Sequence, residues 1–314
     1  MTEETGVQDI TYSIATSPNF ARDGICFAAR GSGLYRSDDG GSTWRFAYDA
    51  LNLETPLATM VVVVSPDFES DQSVFAGAPG GILRSYDGGT NWHVTMLPSP
   101  PPLVSALVIS PDYARDGTLL AGTLEDGVFR CADRGRRWSA WNFGLLDLNV
   151  LCMVISPDFG RDETLLAGTE TGIFRSTNGG RAWREVGFPI EFAPVLCLAL
   201  SPNYANDGVL FAGTESHGLF RSNDKGRTWA RLSEDVIADA VNAVLLSSEF
   251  PAEGDILVLL GDALLVSRDG GGSWSNWRTG VDLSRGTASV AAPQGLGPDA
   301  PLLIGLAEGG VLRI

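Results

Sequence analysis

The sequence predicts an all-β protein, a single seven-bladed β-propeller formed by residues 1–314. An eight-residue segment recurs six times at intervals of 45 to 48 residues, and such a period indicates one small supersecondary unit that is repeated. Each period contains four short strand patterns separated by turn residues, without helical periodicity. The first of these patterns occurs seven times. Because four antiparallel strands in one such period form a propeller blade, the count predicts seven blades.

The first predicted strand of each blade is apolar and ends in Ser-Pro or a counterpart, as in Ala106–Pro111. The turn that follows carries an Asp or Asn, an aromatic residue and a later Asp, and three of these turns contain the pairs Asp67/Asp71, Asp112/Asp116 and Asp158/Asp162. Two carboxylates per turn fall short of the about six to eight oxygen ligands that calcium takes. We therefore interpret the pairs as caps of the turn and predict no metal site.

The turn between the second and third strands carries carboxylates in five successive blades, whereas blades one and two have Arg30–Ser32 and Ala78–Gly80 there. The propeller geometry would bring these carboxylates to one face as an arc that is open on one side. Like charges repel, and a cationic partner, an Arg-rich protein segment or a metal would relieve the repulsion. A solvated rim on an acidic protein is the other interpretation. We call these residues the acidic arc: Glu125, Asp126, Glu170, Glu215, Asp262 and Glu308.

The third strand leads into the recurring segment, which we call the box and which reads Ser-Asp-Asp-Gly-Gly-Ser-Thr-Trp at 37–44. Its Asp is expected to accept hydrogen bonds from nearby backbone N–H groups and to hold the turn between strands three and four. Its Gly supplies a positive φ, and its Trp covers the turn and packs between blades. The structural positions are Asp39, Trp44, Asp87, Trp92, Asp133, Trp138, Asn178, Trp183, Asp224, Trp229, Asp269 and Trp274.

The seventh repeat ends at Ile314, where its box would begin, and so has three predicted strands. An exposed sheet edge is something that proteins avoid. We therefore predict that the N-terminal residues 1–10 supply the missing outer strand. The predicted blades are approximately 11–51, 57–98, 103–145, 149–188, 194–232, 241–283, and 287–314 together with 1–10.

The box resembles the Asp-box, or BNR, repeat of sialidases, sortilin-type receptors, xyloglucanase-type glycosidases and photosystem II assembly propellers. The resemblance covers nearly the whole chain, with Cys131 and Asn178 as departures from the Ser and Asp positions. It implies that the boxes lie opposite the usual binding face and are structural. An Arg precedes most boxes, and we interpret it as bridging to a neighbouring blade rather than forming an anion site: Arg36, Arg84, Arg130, Arg175, Arg221 and Arg313.

The residues do not form a recognisable catalytic set. A sialidase-like site requires three Arg, a Tyr–Glu nucleophile pair and an Asp acid/base, yet the family's Arg-Ile-Pro segment is absent and only Tyr12 and Tyr48 lie outside the repeat. Xyloglucanase-type enzymes place two Asp between two propellers, and one is predicted here. Neither His93 nor His217 has partner residues of this kind. We predict no catalytic residue, no cofactor and no enzymatic activity.

The formal net charge of −16 disfavours binding to phosphate backbones and anionic lipids, so we predict neither a nucleic-acid nor a membrane partner. Residues 1–5 lack the features of a signal peptide. The four cysteines have neither disulfide nor metal-site spacing, which predicts free thiols and a cytoplasmic protein, or a secreted one if a leader was removed: Cys26, Cys131, Cys152 and Cys197.

The loops that join consecutive blades break the repeat and mix apolar with acidic residues, at 51–56, 98–102, 142–147, 188–192 and 235–239. They predict a non-catalytic scaffold for protein binding or complex assembly, with a partner that has a basic surface. Packing of these loops over the central channel is the open alternative. Carbohydrate binding is the second hypothesis, and a glycoside hydrolase the third. The two Trp outside the boxes, Trp141 and Trp277, are interpreted as packing residues of strand four rather than a sugar platform.

Overall fold

The computed structural model describes residues 9–98, 101–278 and 280–314. Within them, six antiparallel sheets of four strands and one sheet of three strands follow one another along the chain. In each sheet the strands are paired in sequence order. The protein is therefore a seven-bladed β-propeller, as the sequence predicts.

The strands of blades one to three are β1 Thr11–Thr16, β2 Cys26–Arg30, β3 Gly33–Ser37, β4 Arg45–Phe46, β5 Val61–Val64, β6 Val74–Ala78, β7 Gly81–Ser85, β8 His93–Met96, β9 Leu103–Ile109, β10 Leu119–Leu124, β11 Gly127–Cys131 and β12 Ser139–Ala140. Those of blades four and five are β13 Val150–Ile155, β14 Leu165–Thr169, β15 Ile173–Ser176, β16 Arg184–Glu185, β17 Val195–Leu200, β18 Leu210–Thr214, β19 Leu219–Ser222 and β20 Ala230–Leu232. Blades six and seven contain β21 Ala243–Leu246, β22 Ile256–Leu259, β23 Leu264–Ser267, β24 Ser275–Asn276, β25 Thr287–Ala291, β26 Leu303–Leu306 and β27 Val311–Arg313.

The turn after the first strand contains a single helical turn in blades one to five, which the sequence patterns did not predict. These helices are α1 Phe20–Asp23, α2 Phe68–Asp71, α3 Tyr113–Asp116, α4 Phe159–Asp162 and α5 Tyr204–Asp207, and a 3-10 turn covers Asp49–Leu51. Four residues are too few to give a helical period. The later Asp does cap the turn: Asp116 accepts from Ser110 Oγ at 2.7 Å and from Thr118 N at 2.8 Å. No helix in the described ranges is long and apolar enough to cross a membrane.

The core lies between adjacent blades. The aromatic residue of a helical turn packs edge-on against an aromatic residue of the preceding blade's second strand, as with Phe68 on Phe27 and Tyr113 on Phe75, at ring-centroid distances of 6.5 and 5.7 Å. All four rings are buried. Edge-on aromatic pairs add to the free energy gained from burying the area alone, so each blade stabilises its neighbour.

Small polar side chains on the first strands also connect the blades around the centre of the ring. Cys152 Sγ contacts Val195 O, and Cys197 Sγ contacts Val241 O, both at 3.3 Å. Ser105 Oγ donates in the same way to Val150 O. These bonds join blades three to six at their inner strands.

The ring closes between blade seven and blade one. Ser289 Oγ on β25 donates to Thr11 O at 2.8 Å, and Thr11 Oγ1 donates to Gly310 O at 2.8 Å. Of the predicted outer strand 1–10, only Asp9 and Ile10 are among the described residues. The contribution of this segment to blade seven lies outside the described residues and stays a prediction.

Candidate binding face

Two sets of turns occupy opposite ends of the strands. The box turns lie beside the helical turns, because Gly40 N donates to Gly24 O and Gly179 N donates to Glu163 O, both at 2.9 Å. In an antiparallel sheet, the turns between strands two and three and the loops between blades lie at the other end. We call the first side the box face and the second the loop face.

On the box face, the Asp carboxylates are used within their own turns. Asp39 Oδ1 accepts from Ser42 N at 3.0 Å and Thr43 N at 2.9 Å, and Asp39 Oδ2 accepts from Thr43 Oγ1 at 2.7 Å. The hydrogen bonds from Thr43 lower the pKa of Asp39 to about 2. Backbone N–H groups donate to the corresponding carboxylates in four further boxes, at Asp87, Asp133, Asp224 and Asp269. Asn178 Oδ1 accepts from Ala182 N at 2.9 Å. This geometry supports a structural role.

The box Trp side chains link blades or close their own turn. Three donate from Nε1 to the preceding blade, at distances of 2.7–2.8 Å: Trp92 to Ala47 O, Trp183 to Trp141 O and Trp274 to Ser233 Oγ. Trp44 and Trp138 donate to a glycine carbonyl of their own box. The Trp229 ring packs on Phe188 at 5.3 Å.

The Arg before the box bridges to the next blade in most blades, as predicted from the sequence. Arg84 Nη1 donates to Gly135 O at 2.7 Å and Arg221 Nη1 to Gly270 O at 2.8 Å. Arg36 and Arg175 make the equivalent bonds to Gly88 O and Lys225 O, and Arg313 reaches Ser42 Oγ in blade one. Arg130 departs from the pattern, since its guanidinium lies 4.5 Å from the Trp141 ring.

On the loop face, the acidic-arc residues occupy the turns between strands two and three of blades three to seven. All are exposed except Asp126, which is half-buried. Asn149 Nδ2 donates to Glu170 Oε2 at 3.0 Å, and Arg285 Nε lies 3.5 Å from Glu308 Oε2. Both partners, Asn149 and Arg285, belong to the neighbouring inter-blade loops and were not predicted from the sequence.

A cleft of about 510 Å³ crosses blade four between the loops 142–149 and 186–194. Two rim side chains, Leu146 and Phe192, are 80% and 76% exposed, and Phe143 on the same loop as Leu146 is 80% exposed. We call it the blade-four cleft; its lining residues are Leu146, Asp147, Leu148, Thr171, Phe174, Glu185, Phe188, Ile190, Glu191 and Phe192. Large exposed apolar side chains in one place are typical of interaction sites.

The walls of the blade-four cleft are held by specific contacts. Phe188 packs edge-on against Phe220 and Trp229, at centroid distances of 4.9 and 5.3 Å. Asp147 Oδ2 accepts from Thr171 N at 2.9 Å and Thr171 Oγ1 at 2.8 Å. Burial raises the pKa of Asp147, but the hydrogen bonds from Asn149 and Thr171 outweigh it and lower the pKa below its ordinary value. Asp147 is therefore a fixed negative charge at neutral pH.

The two Trp outside the boxes are covered by arginines. Arg130 and Arg181 lie 4.5 and 5.6 Å from the Trp141 ring, and Arg268 lies 5.2 Å from the Trp277 ring, which is buried. Trp277 also lines a cavity of about 280 Å³ with Arg278 between blades six and seven. These contacts match the packing role predicted for Trp141 and Trp277.

The residues considered for catalysis and metal binding do not come together. Tyr48 is fully buried, its hydroxyl lies 3.1 Å from Thr59 Oγ1, and burial raises its pKa above the ordinary value. His217 Nδ1 contacts Ser216 Oγ at 3.1 Å. The described ranges contain no group of three or more His, Cys, Asp or Glu that could hold a metal ion. All four cysteines are free, as predicted, and burial raises the pKa of Cys26 and Cys197 to about 12.

Known structures share this fold. The xyloglucanase of glycoside hydrolase family 74 from Xanthomonas campestris matches with a TM-score of 0.74 at 17% identity, over 97% of this chain and 52% of that chain. The extracellular domain of a putative one component system from B. thetaiotaomicron matches with a TM-score of 0.73 at 14% identity, over 98% and 38%. YCF48 from Cyanidioschyzon merolae matches with a TM-score of 0.70 at 14% identity, over 98% and 96%. A structure of YCF48 bound to D1 peptide matches with a TM-score of 0.67 at 16% identity, over 98% and 94%.

These similarities concern the fold. This chain spans about half the length of the xyloglucanase and less than half of the B. thetaiotaomicron extracellular domain, whereas it spans nearly all of YCF48. Neither a protein-family model nor a curated protein sequence matches the chain.

Proposed function

We propose that this protein is a non-catalytic β-propeller scaffold that binds a protein partner through its loop face. The observation that carries the proposal is the exposure of Leu146 and Phe192 at the rim of the blade-four cleft. A few side chains near the centre of an interface contribute most of its binding free energy when they are packed into pockets and fully removed from water. The same loop presents Phe143 to solvent. The inter-blade loops are therefore the proposed contact surface.

We propose that the partner presents a basic surface. The acidic arc and the blade-four cleft lie among the turns of one face, and the net charge of −16 gives the molecule a negative field. Such a field increases the association rate with a cationic protein and opposes binding to nucleic acid or anionic membranes. Four free thiols support a reducing compartment, and we propose a cytoplasmic location.

Similar proteins support a binding function for this architecture. YCF48, which has the same fold over nearly its full length, has a structure with D1 peptide bound. The xyloglucanase has the fold in about half of its chain. Because both similarities are below 25% identity, the proposal depends on this chain's own surface. The braced box turns further support the resemblance of the chain to the Asp-box, or BNR, repeat propellers.

One tyrosine considered for glycoside hydrolysis is inaccessible. Tyr48, one of the two tyrosines outside the repeat, is buried and so is not accessible as a nucleophile.

The scaffold proposal is tested by cross-linking and affinity purification from the source cells. We expect a protein partner whose cross-links map to the loop face, and we expect its capture to fall at least tenfold with Leu146→Ser/Phe192→Ser. The matched control is Val94→Ser/Met96→Ser, since both residues are exposed and lie on β8 of blade two. Equal capture by the two double variants contradicts the proposal. Binding to a glycan array, or hydrolysis of a glycan, would favour the carbohydrate alternatives.

The acidic arc has a separate test. In Glu170→Gln/Glu215→Gln/Glu308→Gln, a docking role predicts weaker partner binding with less dependence on salt, because fewer charges attract the partner. Unchanged binding together with a higher melting temperature indicates a solvated rim. Isothermal titration at two salt concentrations and thermal unfolding distinguish the outcomes.

A further inference from the structure

We infer that the blade-four cleft is a peptide-binding site that takes a segment of the partner with one large apolar anchor flanked by Arg or Lys. The inference rests on the proposed scaffold function and adds where the partner inserts and which side chains it inserts. Three properties of the cleft carry it: an apolar floor, a lining with negative charge only, and fixed walls.

The floor and rim suit an apolar anchor. Phe174 is buried at the bottom, Phe188 and Ile190 are half-buried on one wall, and the rim is formed by the exposed Leu146 and Phe192. A volume of about 510 Å³ lies within the range of ligand pockets. An aromatic or large aliphatic side chain that enters would cover the rim residues and remove them from water.

The charge of the lining selects the residues that flank this anchor. Asp147, Glu185 and Glu191 line the cleft, and among the described residues its lining contains no Lys, Arg or His. Arg184, the nearest basic neighbour in sequence, pairs with Arg175, whereas Glu185 pairs with Phe174. Successive residues of a strand point to opposite faces, so Arg184 does not offset this charge inside the cleft. Arg or Lys beside the anchor would form charge-assisted hydrogen bonds with these carboxylates.

The walls are already ordered without a ligand. Thr171 donates two hydrogen bonds to the Asp147 carboxylate, and Phe188 packs edge-on against Phe220 and Trp229. The loop before the cleft is fixed by Trp183 N, which donates to Phe143 O at 2.8 Å. A preorganised site loses less conformational entropy on binding, which favours recognition of a short segment.

The test uses a fluorescein-labelled synthetic peptide with a central Phe between two Arg-Ser steps on each side, measured by fluorescence anisotropy on the full chain. Matched peptides replace the Phe with Ala or every Arg with Glu. We expect the first peptide to bind at least tenfold more tightly than either control peptide, and its affinity to fall with added salt.

Variants of the protein locate the binding. Glu185→Gln/Glu191→Gln should weaken binding about tenfold and reduce its salt dependence, and Leu146→Ser/Phe192→Ser should abolish it, while Val94→Ser/Met96→Ser should leave it unchanged. All these positions are at least one-third exposed, and thermal unfolding checks that each variant is folded. Equal binding of the three peptides, or unchanged binding by the glutamine variant, overturns the inference.

The same variants separate this inference from the scaffold proposal. If the natural partner cross-links to other loops and binds the cleft variants normally, the inference is wrong and the scaffold function stands. A second copy of this chain in the cleft would appear as a dimer that Leu146→Ser/Phe192→Ser dissociates in light scattering, and this result would also overturn it. If no partner binds the loop face at all, the scaffold function itself fails.

Discussion

At the scale of single residues, the box Asp carboxylates connect local geometry with pH dependence. Hydrogen bonds from Thr43 and Thr228, respectively, lower the pKa of Asp39 and Asp224 from 3.8 to about 2. A carboxylate whose pKa is lower in the folded state stabilises the fold above its unfolded pKa. The stabilisation is lost as the pH falls through the folded value. The box turns should therefore weaken between about pH 4 and pH 2.

We predict that Asp224→Asn reduces this loss of stability in acid. Asn keeps an oxygen acceptor at Oδ1 but does not ionise, and Asn178 already occupies the equivalent position in the fourth box. Urea unfolding between pH 7 and pH 2 should give a shallower decline of the unfolding free energy below pH 4 for the variant than for the parent protein. An identical decline in the two proteins would contradict the pKa assignment.

At the scale of elements, the Arg side chains fasten each third strand to the next blade's box turn. Arg221 illustrates this, since it donates to Gly270 O at 2.8 Å and to Asn223 Oδ1 at 2.8 Å, and its guanidinium lies 5.5 Å from the Phe211 ring. The bonds cross from blade five to blade six. Hydrogen bonds between blades are thus repeated on the box face. The amino-acid sequence of the loop face can therefore vary without loss of these bonds.

We predict that Arg221→Ala lowers the free energy of unfolding by about 1.5–3 kcal/mol, the usual loss for hydrogen bonds to a charged group. Arg136, which is exposed in the third box, provides the control. Arg136→Ala should change the free energy of unfolding by less than about 0.5 kcal/mol. Urea denaturation measures both. Equal effects of the two substitutions would mean that the bridge does not contribute to stability.

At the scale of the whole molecule, stability depends on closing the ring. Consecutive blades, such as three and four, are joined by the polypeptide chain. Blades seven and one lie at opposite ends of the chain and meet through non-covalent contacts, such as the hydrogen bond from Ser289 Oγ to Thr11 O. The Arg313–Ser42 bond joins the same two blades on the box face. The junction between blades seven and one is therefore where the ring is expected to open first.

We predict that Ser289→Ala increases hydrogen exchange in β1 and β25 more than elsewhere. Ser105→Ala removes an equivalent bond, from Ser105 Oγ to Val150 O, within the continuous part of the ring. Each substitution should lower the free energy of unfolding by about 1 kcal/mol. Only Ser289→Ala should increase the opening between blades seven and one. Hydrogen exchange measured by mass spectrometry tests this, and faster exchange spread evenly over all blades would contradict it.

The propeller, the number of blades and most of the inter-blade Arg bridges could be predicted from the sequence alone. Each of these features repeats in the sequence and depends on residues within one unit or its neighbour, such as Ser37, Asp39 and Thr43 of one box. Local hydrogen bonding that repeats from blade to blade appears in the sequence as a repeated pattern of residues. The short helices, such as Tyr113–Asp116, were missed because one turn has no period to detect.

The position of the candidate binding site could not be predicted from the sequence, because it depends on how separate loops pack together. Leu146 and Phe192 belong to separate inter-blade loops, 142–147 and 188–192, and they form one cleft because both loops flank blade four. The same packing brings Arg285 close to Glu308, and Arg130 and Arg181 onto Trp141. Such contacts join side chains of different strands and loops, so their pairing depends on how the strands, loops and blades pack around the ring.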